Sequence, residues 1–90
     1  MDSTRFKREL LPNAIDYFDG IGNPLKGSGT WRSALCPFHN DHRPSLRVLV
    51  ERGAYCCMAC GAKGGDLLSF HMERTGKGFI EAARDLGAWE

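Results

Sequence analysis

Cys36-Pro37-Phe38-His39 and Cys57-Met58-Ala59-Cys60-Gly61, with seventeen residues between His39 and Cys57, are the parts of this 90-residue chain whose types and spacing could do chemistry. Each short pair spans a tight knuckle turn that aims two side chains at one ion. The two pairs together complete a tetrahedron of three thiolates and one imidazole, a donor set suited to zinc. All four positions are filled by protein, so the ion is read as a single structural Zn2+, not as a Lewis acid or a source of hydroxide. Cys57 is preferred to Cys56 as third ligand, because neighbouring strand residues point to opposite faces and only one can face the metal. Cys56-x3-Cys60 is the less regular alternative. Pairing the four cysteines as two disulfides would leave His39 and the spacing unexplained.

The elements that must position these ligands follow from local pattern. Thr30 to Leu35 reads as a strand delivering Cys36 to the metal. Ser45 to Val50 alternates, with Leu46, Val48 and Val50 on one face and Ser45, Arg47 and Leu49 on the other. Glu51-Arg52-Gly53 is a hairpin turn, and Ala54 to Cys57 pairs back as a third strand. Ahead of this ribbon, Ser3 to Phe18 is helical in two pieces broken near Pro12, which suits the first turn of the second piece; Gly20 ends it. Behind it, Asp66 can cap a helix carrying Leu67, Leu68 and Phe70, and a last helix carries Phe79, Ala82, Ala83 and Leu86 before Gly87. The expected class is α+β. It is one domain over residues 1–90, a small zinc ribbon (three-stranded antiparallel sheet with two zinc knuckles, about 30–65) flanked by helices at about 3–19, 66–74 and 79–86.

A chain this short has a small core and often needs a staple such as a metal. No apolar run approaches the roughly 18–20 residues of a membrane span, so no membrane partner is expected. Clustered Cys and His point to a reducing, cytoplasmic setting. The formal charge is +1, but residues 26–52 hold a local +3 and the segments on either side −1 each. Binding Zn2+ through three thiolates brings the total to 0, so only the local patch bears on nucleic acid.

Cys36-Pro37-Phe38-His39-Asn40-Asp41, Pro44-Ser45-Leu46, Val48, Tyr55, Cys57-x2-Cys60-Gly61, Gly64-Gly65-Asp66 and Phe70 together resemble the Cys-His-Cys-Cys zinc-binding domain of bacterial and phage DNA primases, from about residue 12 to residue 86. The resemblance implies ligands Cys36, His39, Cys57 and Cys60 and a ribbon face beside the metal that contacts single-stranded template. It also implies partnership with a primase polymerase core or a helicase, in the same chain or in trans. Ninety residues leave no room for that core, so the chain by itself is not expected to polymerise. It is either a fragment or, as Met1 and the terminal helix favour, a free-standing finger of the kind carried by mobile elements.

Binding a single strand needs cations for phosphates and flat side chains for bases. Arg32, Arg47, Arg43, Trp31, Tyr55, Lys63, Arg52 and His42 offer those chemistries, with Arg32 and Arg47 both expected to project to solvent. Trp31 and Tyr55 could equally brace the core. Phe38 is expected to pack on the metal site and His71 to lie on a helix surface. Nothing resembles a nucleophile–base pair, a P-loop or paired catalytic carboxylates. Two other readings are a ribbon that docks on a replication protein without DNA affinity of its own, and a thiol switch at Cys56.

Overall fold

Leu46 and Val48 are fully buried while Arg47 between them is exposed, the period-two signature of a half-buried strand. In the computed structural model, which describes residues 5–40 and 43–90, this strand is the centre of an antiparallel meander. Its strands are β1 (Trp31–Ala34), β2 (Leu46–Leu49), β3 (Tyr55–Cys57) and β4 (Lys63–Gly64), in that spatial order.

The sheet therefore has four strands where three were expected. The addition is β4. After the second knuckle the chain turns back, Cys57 N–H donates to Ala62 O at 2.7 Å, and Lys63 and Gly64 pair with Cys56 and Tyr55. Two residues carry no alternation, so periodicity cannot reveal such a strand. Gly64 is required there, since a Cβ would lie 2.6 Å from the Tyr55 ring. Gly53, in the β2–β3 turn, has φ +79° and would meet Leu67 at 2.8 Å, so both its conformation and its contact exclude a side chain.

The register sorts the side chains. One face carries the rows Ala34–Leu46–Cys57 and Arg32–Val48–Tyr55–Gly64; the other carries Ser33–Arg47–Cys56–Lys63 and Trp31–Leu49. The first, inner face is covered by α1 (Ala14–Gly20) and α2 (Leu67–Thr75). Phe18 from α1 and Phe70 from α2 meet at 4.8 Å between ring centroids, and Tyr55 and Phe38 reach Phe70 at 5.0 and 5.5 Å. A second, smaller core joins Leu68 of α2 to Ala82 and Ala83 of α3 (Phe79–Asp85), beneath Phe6, Leu11 and Trp89. There the two ends of the chain pair, Lys7 N–H to Ala88 O at 2.7 Å and Glu90 N–H to Arg5 O at 2.9 Å.

The helix starts follow capping chemistry. Asp66 caps α2 by accepting from Ser69 N–H at 2.9 Å. Asn13, not Pro12, opens α1: its Oδ1 accepts from Ile15 N–H at 2.7 Å, which leaves Pro12 outside the first turn. The earlier piece of the N-terminal helix is a 3-10 turn, Arg8–Leu10; residues 3 and 4 lie outside the described residues.

His71, expected at the surface, is only 7% exposed. Helix α2 lies between α1 and α3, so its polar side is covered as well. Tyr17 Oη lies 2.7 Å from His71 Nδ1, and Asp85 Oδ2 lies 3.0 Å from Nε2. Arg74 Nε donates to Tyr17 Oη at 3.0 Å. Tyr17 is held above its usual pKa, chiefly by burial, with Arg74 opposing.

Candidate metal centre

The first knuckle leaves the end of β1 and the second the end of β3. Because Ala34 and Cys57 both pair with Leu46, the two knuckles emerge side by side at one end of the sheet. Asn23 fixes the approach to the first knuckle, donating from Nδ2 to Leu35 O at 2.8 Å and accepting Leu35 N–H at 3.2 Å. The second closes with Gly61 N–H on Cys57 O at 3.0 Å. Phe38, between two ligands and expected to pack on the metal site, turns its ring onto Phe70 of the core beneath it.

The donor atoms of Cys36, His39, Cys57 and Cys60 all lie within 4.8 Å of one another. Cys36 Sγ and Cys60 Sγ are 3.7 Å apart, and Cys57 Sγ is 3.5 Å from His39 Nε2. A tetrahedron with Zn–S near 2.3 Å and Zn–N near 2.0–2.1 Å has edges of about 3.8 Å (S to S) and about 3.6 Å (S to N). The side chains are already at zinc spacing. Cys56, paired with Arg47, faces the other side, so alternation selects Cys57 as the ligand.

Electrostatics prepares the site for a cation. Burial pushes the Cys57 thiol up, but the Ser45 hydroxyl, the N–H groups of Cys60 and Ala59, and His39 outweigh it, bringing Cys57 to about 6. Cys36 is pushed up to about 12 by burial and by the neighbouring sulfurs, which accumulate negative charge. A divalent ion relieves that repulsion by converting all three thiols to thiolates.

Comparison with known proteins agrees with this geometry. The family model described as the CHC2 zinc finger matches residues 9–89. The chain belongs to the CHC2 zinc-finger family. The DNA primase of Listeria monocytogenes is 43% identical over 78 residues, covering 84% of this chain and 12% of that protein. That of Geobacillus stearothermophilus is 39% identical over 82 residues, covering 89% and 14%. The solved Aquifex aeolicus primase, comprising zinc-binding and RNA polymerase domains, superposes with a TM-score of 0.71 at 28% identity, over 88% of this chain and 20% of that one. The chain thus corresponds to the zinc-binding part of DNA primases and to a small fraction of their length. It carries one structural zinc site.

Outside the ligands, this CHC2 finger sorts the other singled-out residues differently from their sequence order. Arg47 and Lys63 are exposed on the outer face, and Trp31, 43% exposed, shares it. Arg32 does not. The register sets it opposite Val48 on the inner face, half-buried, with Nε donating to Gly29 O at 3.2 Å. Tyr55 is 3% exposed and donates its hydroxyl to Glu73, so it is a core residue and no platform for bases. Arg43 is exposed ahead of β2, near the first knuckle, and Arg52 is exposed in the turn at the far end of the sheet. His42 lies outside the described residues.

Sequence reasoning missed Lys26. Its backbone pairs with Ser33 on the open side of β1, Lys26 N–H to Ser33 O at 2.7 Å and Ser33 N–H to Lys26 O at 3.0 Å. This extends the outer row to Lys26–Ser33–Arg47–Cys56–Lys63. The local positive charge of residues 26–52 includes Lys26, but an isolated bridge from a glycine-rich loop has no periodicity, so the sequence did not place it on the row. Among the described residues no helix is long and apolar enough to cross a membrane.

Proposed function

We propose that this CHC2 finger binds single-stranded DNA template on the outer face of its sheet and supports primer synthesis by a polymerase core, in the same chain or in trans. The observation that carries the reading is the straight cross-sheet row with Lys26, Arg47 and Lys63 at alternate positions, beside exposed Trp31. Neighbouring strands lie about 4.8 Å apart, so successive cations along the row are about 10 Å apart, a spacing suited to tracking a backbone. Arg43 extends the charge toward the knuckle, and Arg52 lies at the far rim. Polymerisation chemistry belongs to the core, and the finger contributes template contact held in shape by zinc.

The test is a titration of zinc-loaded protein with labelled single-stranded oligonucleotides across a salt series. Affinity should fall with salt, and each phosphate contact removed should lower the log–log slope by about 0.7. Arg47→Ala should weaken binding, whereas Arg32→Ala, on the inner face, should change it little. Equal losses from both variants, or no affinity in the wild type, would reject the outer face.

A second reading is docking on a polymerase or helicase without DNA affinity. It draws on the exposed Phe79 and Ile80 of α3, a helix that is not part of the sheet. It predicts no oligonucleotide binding but a stable complex with a purified core, lost in the Phe79→Ser, Ile80→Ser double variant.

A further inference from the structure

Met58 is the most exposed large apolar residue among the described residues, at 75%, yet it stands between two zinc ligands on one of the most constrained turns of the chain. Its N–H donates to Ser45 O at 3.0 Å, continuing the β2–β3 ladder one step beyond the Leu46–Cys57 pair. Met58 itself opens the knuckle turn one step after the inner-facing Cys57, and its side chain stands in solvent at the zinc end of the sheet. Leu35, 42% exposed, holds the equivalent place beyond β1, two residues past Ser33. Each is followed or preceded by a ligand, Cys36 after Leu35 and Cys57 before Met58, so the metal fixes both backbones.

Along the strand direction the exposed apolar side chains bracket the cationic row, with Trp31 at one end and Leu35 and Met58 beside the zinc ligands. We propose that Met58 is a nucleobase contact, packing its thioether against an unpaired base at the zinc end of the face, with Leu35 closing the apolar floor beside it. This rests on the DNA-binding reading above and adds a residue and a direction to it. With Trp31 and Leu35 four residues apart, the two apolar zones are separated by about 13 Å, so one strand can touch both while its phosphates pass the cations. Methionine suits the role. It is unbranched and polarisable, packs favourably against aromatic rings, and is among the apolar side chains that proteins press against bases. Such a contact tolerates any base, since every base offers a π-face.

The experiment uses the zinc-loaded chain labelled with 13C at the methionine methyls, titrated with single-stranded oligonucleotides. Saturation should move the Met58 methyl upfield by ring current and leave Met72, packed beneath α3, in place. In parallel, Met58→Ala should weaken binding roughly fivefold with the salt slope unchanged, and Met58→Leu should recover most of it. Arg47→Ala should instead lower the slope. If Arg47→Ala weakens binding while the Met58 methyl does not move and Met58→Ala binds as wild type, Met58 is overturned and the DNA-binding face stands. If the wild type binds no oligonucleotide, both fall.

Discussion

The two ends of this domain are held by different physics. At the zinc end, strand ends and knuckles are tied by four donors whose spacing already matches a tetrahedron, on top of the main core that Cys36, Cys57, Leu46 and Phe38 share. At the helical end, α3 is attached through a smaller core of Leu68, Ala82 and Ala83 with Phe6, Leu11 and Trp89 around it, and a polar chain running Arg74–Tyr17–His71–Asp85. Trp89 Nε1 is buried there with no acceptor among the described residues. The zinc end gains its rigidity from one strong ion, the helical end from many weak contacts.

The largest effect should come from removing zinc. Structural zinc contributes apparent binding energies of about 10–16 kcal/mol in small fingers, more than the typical 5–15 kcal/mol stability of a domain can lose without unfolding. A strong chelator should abolish cooperative melting followed by circular dichroism, and Cys57→Ser should do the same without chelator. An unchanged melting curve in chelator would mean that the two ends do not differ in this way.

Next in size is Phe70→Ala. Phe70 is fully buried and touches Phe18, Phe38, Tyr55 and Tyr17, so it joins the zinc end to the helical end. Its truncation should cost about 3–5 kcal/mol. Chemical denaturation with zinc present measures this. A loss under about 1 kcal/mol would show that the ends are held independently.

How much was legible in the sequence follows the same division. The ligand set, the choice of Cys57 over Cys56, the β2 alternation and the Asp66 cap are local: each depends on residues within a few positions and on fixed geometry. What was not legible is long-range. β4 exists only because Cys56 and Tyr55 offer a free edge to two featureless residues. Arg32 and Arg47 looked alike until the β1–β2 register put them on opposite faces. Pattern alone left Tyr55 open and placed His71 wrongly at the surface, because the burial of both is decided by where α2 falls relative to the sheet and the other helices.

His71→Ala tests the helical end directly. It removes the link between Tyr17 on α1 and Asp85 on α3 and leaves both hydroxyl and carboxylate to find other partners. The cost should be about 1–3 kcal/mol, with zinc content unchanged by metal analysis. His71→Gln, which keeps hydrogen-bonding capacity, should recover part of it. Loss of zinc in the alanine variant would instead show that the network supports the metal end.

The smallest effect, Tyr55→Phe, is the most informative about where the two regions meet. Tyr55 lies on the inner face with its hydroxyl on Glu73 of α2. Losing that hydrogen bond should cost about 1 kcal/mol at pH 7. Burial, and then the hydrogen bond to Glu73, raise the Tyr55 pKa above its usual value, so the folded state holds its proton more tightly than the unfolded state does. Stability from this group is fully present below the unfolded value of about 10 and is lost as pH climbs through the folded value. The wild type should therefore lose stability in that alkaline window, and Tyr55→Phe should lose less, so the two denaturation curves converge as pH rises. Tyr17, raised in the same direction, leaves a residual alkaline slope in the variant. Parallel curves across the window would mean that the Tyr55 hydroxyl does not couple α2 to the sheet.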